Sequence, residues 1–518
     1  MLSLTPRVAP LLKPRLMGRV DTYGTVDAIG IHDRDAATLH RGLVERLFGV
    51  VRDGVLHPVP RPRVNIAECL RSFKRQVVAY VGPTSCESRQ SFCDTYTGRR
   101  KTIYTAAAFS LEGKPVERRD AHSKDFVKCE KTNFTLKDDP APRVIRPRNP
   151  RYNVEVGRRL KFIEHKVYSA IGRVFGETTV CKGLSPSRRA RLLQLKWASC
   201  NDPVAVGLDM SRFDQHVDID WLRWEHSLYN AIFRDQELAE LLSWQLVNRG
   251  KCFCPDGLVR YVKRGTRGSG DMNTALGNCT IMCAMIWRLG HERGIKIHLA
   301  NDGDDCAVII ERRDLHAFMM NIREWFLGFG FTAKVDYVTD VFERIEFCQS
   351  QPVYVDGVPA MVRNLCKALS GDTHSTKIRD ERTARIHLGA MGVCGGVQSI
   401  GVPVMQEYYA ALRRDGDVAR AERVIRNDVE FGSYGFARNA ILEDPWLVVH
   451  EGPISAETRV SFWRAFGVTP DQQVMIEKHL RSTKPNFTSR PPDQISHLVT
   501  QSRVTTWLKN FLRNGKEN

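Results

Sequence analysis

The spacing of apolar and polar positions divides the chain into stretches of different period. Val204 to Leu208 is a short apolar run entering Asp209, the pattern of a buried strand that stops at a functional edge. Residues 218–248 carry Leu, Trp and Ile at helical intervals. Two hairpins are predicted, Cys252 to Val262 around Asp256-Gly257 and Ile297 to Ile310 around Asp302-Gly303, because Asp-Gly suits a tight turn. Gly265, Gly268 and Gly270 precede a long helical pattern over 272–289. A helix over 314–327 and a hairpin over 344–355 and 358–363 follow, and beyond 365 the pattern is mostly helical. The first sixty residues mix prolines with basic residues (HPVPRPRV, 57–64) and read as an irregular extension. From there to residue 200, short apolar runs alternate with strongly basic stretches. Pro491-Pro492 sets off a last amphipathic segment with Trp507, Leu508, Phe511 and Leu512. No internal repeat is present.

With 518 residues, 42% of them hydrophobic and 26% charged, the chain can bury large cores, and it is not a disordered polymer. The net charge of +18 points to a polyanionic partner, either nucleic acid or an acidic membrane surface. The 14 cysteines form no C-x-x-C pair, so free thiols in a reducing compartment are expected rather than a zinc site. No run of ~18 apolar residues exists, so no bilayer span is expected. The basic first twenty residues resemble a transit peptide slightly, but Pro6, Pro10 and Pro14 would break the helix it needs.

Three short segments carry the chemistry. They are Asp209 to Asp214 (DMSRFD), Ser269 to Thr274 (SGDMNT) with Asn278 following, and Gly303-Asp304-Asp305. A lone GDD is a common turn, but a turn does not require two adjacent aspartates, whose like charges raise each other's pKa. A bound divalent cation removes that penalty. If the strand before Asp209 lies beside the 297–310 hairpin, Asp209 and Asp304 converge. Carboxylates so placed can hold two hard cations about 3.5–4 Å apart and clamp the oxygens of a phosphoryl transfer. Thr274 and Asn278 share a helix face, and Ser269-Gly270 is a loop able to approach a backbone closely. Asn278 and Asp214, within reach of a ribose, could bond its 2′-hydroxyl, the group that separates RNA from DNA. Alternatively, Thr274 and Asn278 satisfy each other in a core.

Taken together the segments resemble polymerase motifs A (D-x4-D), B (SG-x3-T-x3-N) and C (GDD), closest to the replicases of tombusvirus-like plant viruses, including carmoviruses and umbraviruses. FVKCEK (126–131) and APRVIRPRNPRYNVEVGR (141–158) resemble motif F. GLDMSRFDQHV (207–217) is close to the family's motif A stretch. FTAKVD (331–336) resembles motif D, EFCQSQPV (346–353) motif E, and GVPVMQEYY (401–409) a thumb segment. The resemblance covers roughly 120–410.

The resemblance implies an α+β right-hand polymerase of fingers, palm and thumb, with an antiparallel palm sheet flanked by helices. The expected division is an N-terminal extension (1–60), fingers (61–208), palm (209–232), a fingers insertion (233–268), palm again (269–357), then thumb and tail (358–518). It implies metal binding by Asp209, Asp304 and Asp305, with two Mg²⁺ ions and Mn²⁺ able to substitute. Lys128, Lys131 and Arg143 would meet the triphosphate, alongside Asp214, Ser269, Thr274 and Asn278 in nucleotide binding. Lys334 would protonate the leaving pyrophosphate. Gly270, Cys348 and Gln349 would contact RNA. Arg146, Arg148, Arg151, Arg158 and Arg159 carry only the weaker expectation of a basic face. Arg212, Gln215 and His216 are shared with the family without a physical role readable from sequence.

The implied partners are viral template RNA, nascent RNA, NTPs and host factors, in membrane-associated complexes of the host cytoplasm. Replicases of this kind are commonly made by readthrough or frameshift with the membrane-targeting part upstream. The chain is therefore expected to be a downstream portion of a longer product or to depend on a separate anchor protein. A reverse transcriptase would share the two-metal palm, but Asn278 with Asp214 favours ribonucleotides. A non-catalytic RNA-binding protein explains the charge but not the ordered acidic motifs.

Overall fold

The computed structural model describes residues 1–7, 14–20, 29–52, 54–136, 139–427 and 449–486. At its centre is a four-stranded antiparallel sheet, in the order His298–Asp302, Asp305–Glu311, Pro203–Met210, Ala333–Thr339. Alternation along Pro203–Met210 puts Val204, Val206, Leu208 and Met210 on one face, inside the largest core. That core is closed by three helices, Pro150–Phe175, Ile219–Phe233 and Thr274–Arg293. The opposite face presents Ala205, Ala300, Ala307 and Ile309 to a second core, filled by the Pro186–Ala198 helix and the Ser350–Val355/Val358–Arg363 hairpin.

Local signals explain the element ends. Asn149 caps the Pro150–Phe175 helix, proline opens it, and Gly176 at φ 79° closes it. The Asp218 side chain caps Ile219–Phe233 by accepting from the amides of Asp220 and Trp221. Gly303, at φ 80°, lies in the two-residue turn between the paired Asp302 and Asp305.

Gly207 faces Tyr337 across the sheet, and a Cβ there would fall against the tyrosine ring. The ring is held by the Tyr337 hydroxyl, which donates to the Glu346 carbonyl at 2.8 Å. Gly207→Ala should therefore lower stability by about 1–3 kcal/mol, as overpacking does. Urea unfolding checks this, and an unchanged midpoint would show that the ring swings aside freely.

Several expectations need correction. The first sixty residues are not irregular throughout. Leu2–Pro6 adds an edge strand to the Val247–Cys254/Gly257–Arg264 hairpin, and Ala36–Leu43 is a helix capped by Asp35. Gly49–Arg52 and Val55–Pro58 form a hairpin of their own. Ala36, Leu39, Leu43 and Leu47 pack against Val127, Val144, Val259 and Tyr261, so the segment has its own core. Pro6 and Pro58 each sit at the end of a strand, where a missing N–H costs little. The 314–327 helix is two, Leu315–Met319 and Ile322–Gly328, broken at Asn321 with φ 50°. The Ala333–Thr339 strand was not foreseen, nor were the helices of residues 66–198.

Beyond 365 the described residues are mostly helical and enclose a further core around Leu388, Met391, Tyr408 and Leu412. The Trp507 to Leu512 segment lies outside the described residues. All 14 cysteines are free thiols. Among the described residues no helix is long and apolar enough to cross a membrane.

Candidate active site

The central strand pairs with the hairpin strand up to Leu208 opposite Cys306, so Asp209 projects one residue beyond, beside the turn. Alternation puts Asp209 on the face of Ala205 and Gly207, and Asp305 on that of Ala307 and Ile309. Lys334 stands opposite Asp209 on the neighbouring strand, largely exposed and paired with Asp336.

Asp304 and Asp305 face water in a recess. Burial there, with the charges of Asp214 and Asp209, raises the Asp304 pKa. Burial, then Asp304 and Asp209, pushes Asp305 up to about 6, partly offset by a hydrogen bond from Cys348. The three carboxylates therefore feel one another, although among the described residues no three His, Cys, Asp or Glu side chains close around a common point.

Beyond Asp209 the chain turns sharply at Arg212, at φ 52°, into the short Phe213–His216 helix that carries Asp214. Both Asp214 oxygens are engaged. The Ser269 hydroxyl donates to Oδ2 at 2.8 Å and the Asn278 amide to Oδ1 at 2.9 Å. Thr274 does not bond Asn278. Its hydroxyl donates to the Gly268 and Asp271 carbonyls and fixes the loop. Gly270 lies where a Cβ would press on the Arg146–Pro147 backbone at 3.0–3.1 Å, so its smallness has a packing cause.

Among the basic candidates, Arg143 and Lys128 share Glu130, at 3.2 and 2.7 Å, and the Arg143 charge acts on Asp304. Lys131 points elsewhere and donates to the carbonyls of Gly371 and His374 at 2.7 and 3.1 Å. Cys348 and Gln349 occupy a two-residue turn, both at positive φ, between the reciprocally bonded Phe347 and Ser350. Cys348 touches the site through Asp305, and the Gln349 side chain is exposed. Arg148 is buried against Asp271, the Ala121 carbonyl and Asn248. Arg151 bonds Asp120 and nearby carbonyls, while Arg158 and Arg159 pair with Glu155 and Glu237, and Arg159 also with Asp235. Arg146 donates to Thr266. These five hold the fold.

The structure also gives Arg212, Gln215 and His216 physical roles. Arg212 and Gln215 donate to the Glu45 carbonyl, Gln215 also to that of Gly49 at 2.7 Å, and His216 meets Thr332 at 3.2 Å. The turn after Asp209 is thus braced by the N-terminal segment. Two further groups were missed. Lys182 and Arg189 flank the hairpin by pairing with Asp302 at 2.8 and 2.9 Å. Arg267 and Glu225 form a fully buried pair beneath Asn278. Glu225 was detectable as an acid on the Trp221, Leu228 and Tyr229 stripe of its helix.

Comparison with known proteins adds the lineage. The sequence profile described as "Viral RNA dependent RNA polymerase" matches residues 3–488. The chain is 43% identical to the RNA-directed RNA polymerase of Melon necrotic spot virus, with 90% of the chain and 58% of that protein aligned. It is 41% identical to that of Tobacco necrosis virus strain D, over 92% of the chain and 65% of the relative. For Turnip crinkle virus the identity is 40%, over 91% and 61%. The chain thus spans 58–65% of the length of these relatives. The profile reaches well past 120–410 at both ends, in keeping with an N-terminal segment built into the fold.

Proposed function

The chain belongs to the viral RNA-dependent RNA polymerase family, and from that premise we propose that it replicates and transcribes a positive-strand RNA virus genome. The reaction is transfer of nucleotides from NTPs to the 3′-hydroxyl of a growing RNA strand. The observation that carries this reading is the placement of Asp209, Asp304 and Asp305 at one sheet end, beside the Asp214–Ser269–Asn278 network. The central sheet would be the palm, the helices of 61–208 the fingers, and the core beyond 358 the thumb.

The donor set fits Mg²⁺, because crowded carboxylates of raised pKa offer hard oxygen ligands whose repulsion a cation relieves. Asp209, Asp304 and Asp305 would hold two such ions, which when bound supply charge neutralisation at the reacting phosphate. Arg143 and Lys128 would receive the triphosphate. Lys334, opposite Asp209, would give a proton to the departing pyrophosphate. Cys348 and Gln349 would rest against the nascent strand. Lys131 is spent on backbone carbonyls, so its share in triphosphate binding is the smallest of the three motif F cations. A membrane-anchoring replication protein, fused or separate, is the further partner proposed.

The test is Mg²⁺-dependent incorporation of labelled UTP against dTTP on an RNA template. Incorporation of UTP with poor use of dTTP is expected. Equal use of dTTP would favour a reverse transcriptase, and no incorporation with RNA binding intact would favour a non-catalytic RNA-binding protein.

RNA binding should be largely electrostatic, given the net charge of +18. The logarithm of the affinity should fall linearly with log salt, with a slope of about −0.7 per single-strand phosphate neutralised. Filter binding across a salt series measures it, and a flat dependence up to physiological salt would count against the reading.

A further inference from the structure

An asparagine amide has nearly the same shape either way round, but its two ends are opposite in hydrogen bonding. At Asn278 the choice matters. With the nitrogen toward Asp214 the contact attracts, and with the oxygen toward that carboxylate it repels. Arg267 settles the orientation. Its Nε–H donates to Asn278 Oδ1 at 3.1 Å, and a guanidinium can only donate. The oxygen must face Arg267, so Nδ2 faces Asp214 Oδ1 at 2.9 Å.

Arg267 is itself fixed. Its side chain and that of Glu225 are both 0% exposed. They pair through both terminal guanidinium nitrogens, Nη1 to Oε1 at 3.2 Å and Nη2 to Oε2. Glu225 Oε1 also accepts from Asn273 at 2.8 Å and from the Tyr229 hydroxyl at 2.7 Å. Asn273 is held in turn by Gln245. The helix bearing Asn278 lies directly on this pair, since a Cβ on Gly277 would collide with both Arg267 and Glu225. The Arg267 amide also donates to the Asp214 carbonyl at 3.0 Å, so one residue holds the main chain of one partner and the side chain of the other. Buried ion pairs often contribute little net stability relative to apolar packing of similar volume.

We propose that the buried Arg267–Glu225 pair is a positioning device for sugar selection, locking the Asn278 amide with its nitrogen toward Asp214. This rests on the reading of Asp214, Ser269 and Asn278 as the ribose-sensing network. Lysine at 267 can keep the charge pair with Glu225, but it lacks the planar fork that reaches Asn278 at the same time.

The experiment compares kcat/KM for UTP and dUTP on one RNA template for the full chain, Arg267→Lys and Asn278→Ala, with thermal unfolding followed in parallel. Arg267→Lys should lose roughly 2- to 10-fold in ribonucleotide efficiency. Efficiency with dUTP should change less, so the ribo/deoxy ratio narrows in the same direction as in Asn278→Ala but by less. A purely structural role would lower both efficiencies alike. A folded Arg267→Lys with an unchanged ratio, while Asn278→Ala narrows it, overturns the positioning role and leaves the network standing. An unchanged ratio in Asn278→Ala overturns both. If Arg267→Lys fails to fold, Glu225→Gln is read the same way. It keeps an acceptor for Asn273 but loosens Arg267, so a narrowed ratio supports the proposal and an unchanged one ends it.

Discussion

Asp304→Asn should remove nearly all nucleotide incorporation while RNA binding survives. Asp304 lies in the two-residue turn between Asp302 and Asp305, and asparagine suits such turns, so the hairpin register is preserved. What the substitution removes is charge. Asp304 is crowded by Asp209 and Asp214, and relieving that repulsion gives no reason for the fold to weaken. A carboxylate that holds a catalytic cation contributes several kcal/mol of charge stabilisation in the transition state. At about 1.36 kcal/mol per decade, its loss corresponds to roughly 100-fold or more in rate. RNA affinity should be unchanged or slightly higher, because the variant is one unit more positive. The measurement is single-turnover incorporation beside filter binding and thermal unfolding. A folded Asp304→Asn protein that keeps more than a tenth of wild-type turnover would sink the assignment.

The strand, hairpin and helix that carry the acidic segments were legible in the sequence because they are built from local signals. An apolar run into Asp209, an Asp-Gly hairpin and a glycine loop opening a helix each depend on neighbouring residues, and the adjacency of strand and hairpin on which the convergence of Asp209 and Asp304 depends is found. Elements carrying internal ion pairs were not legible. The Pro150–Phe175 helix buries Glu155 and Arg159, so its inner face does not read as apolar. The Ala333–Thr339 strand has an irregularity between Val335 and Tyr337 that breaks its alternation. The same physics hid Arg267, a cation in a glycine loop whose partner lies on another helix. The basic residues of the two motif F stretches divided once placed. Arg143 acts on Asp304, whereas Arg148, Arg151 and Arg159 are consumed by carboxylates and carbonyls that no local pattern reveals.

Loss of the Asn278 amide should cost ribonucleotides more than deoxynucleotides. In the structure Asp214 is held at both oxygens, by Ser269 at 2.8 Å and Asn278 at 2.9 Å, and its charge acts on Asp304. A ribose placed at the carboxylates would bring its 2′-hydroxyl to this network. The second amide hydrogen of Asn278 and the remaining lone pairs on Asp214 are suited to receive it. Removing one polar partner from a desolvated site typically costs ~1–3 kcal/mol. That corresponds to roughly 5- to 150-fold in kcat/KM for UTP. dUTP has no 2′-hydroxyl and never makes the bond, so its efficiency should fall less and the ratio should narrow. Asp214→Ala should act in the same direction and also free Ser269. The check is kcat/KM for UTP and dUTP on one template with each variant. If both efficiencies fall alike and the ratio holds, Asp214 and Asn278 serve only to join the turn after Asp209 to the helix behind it.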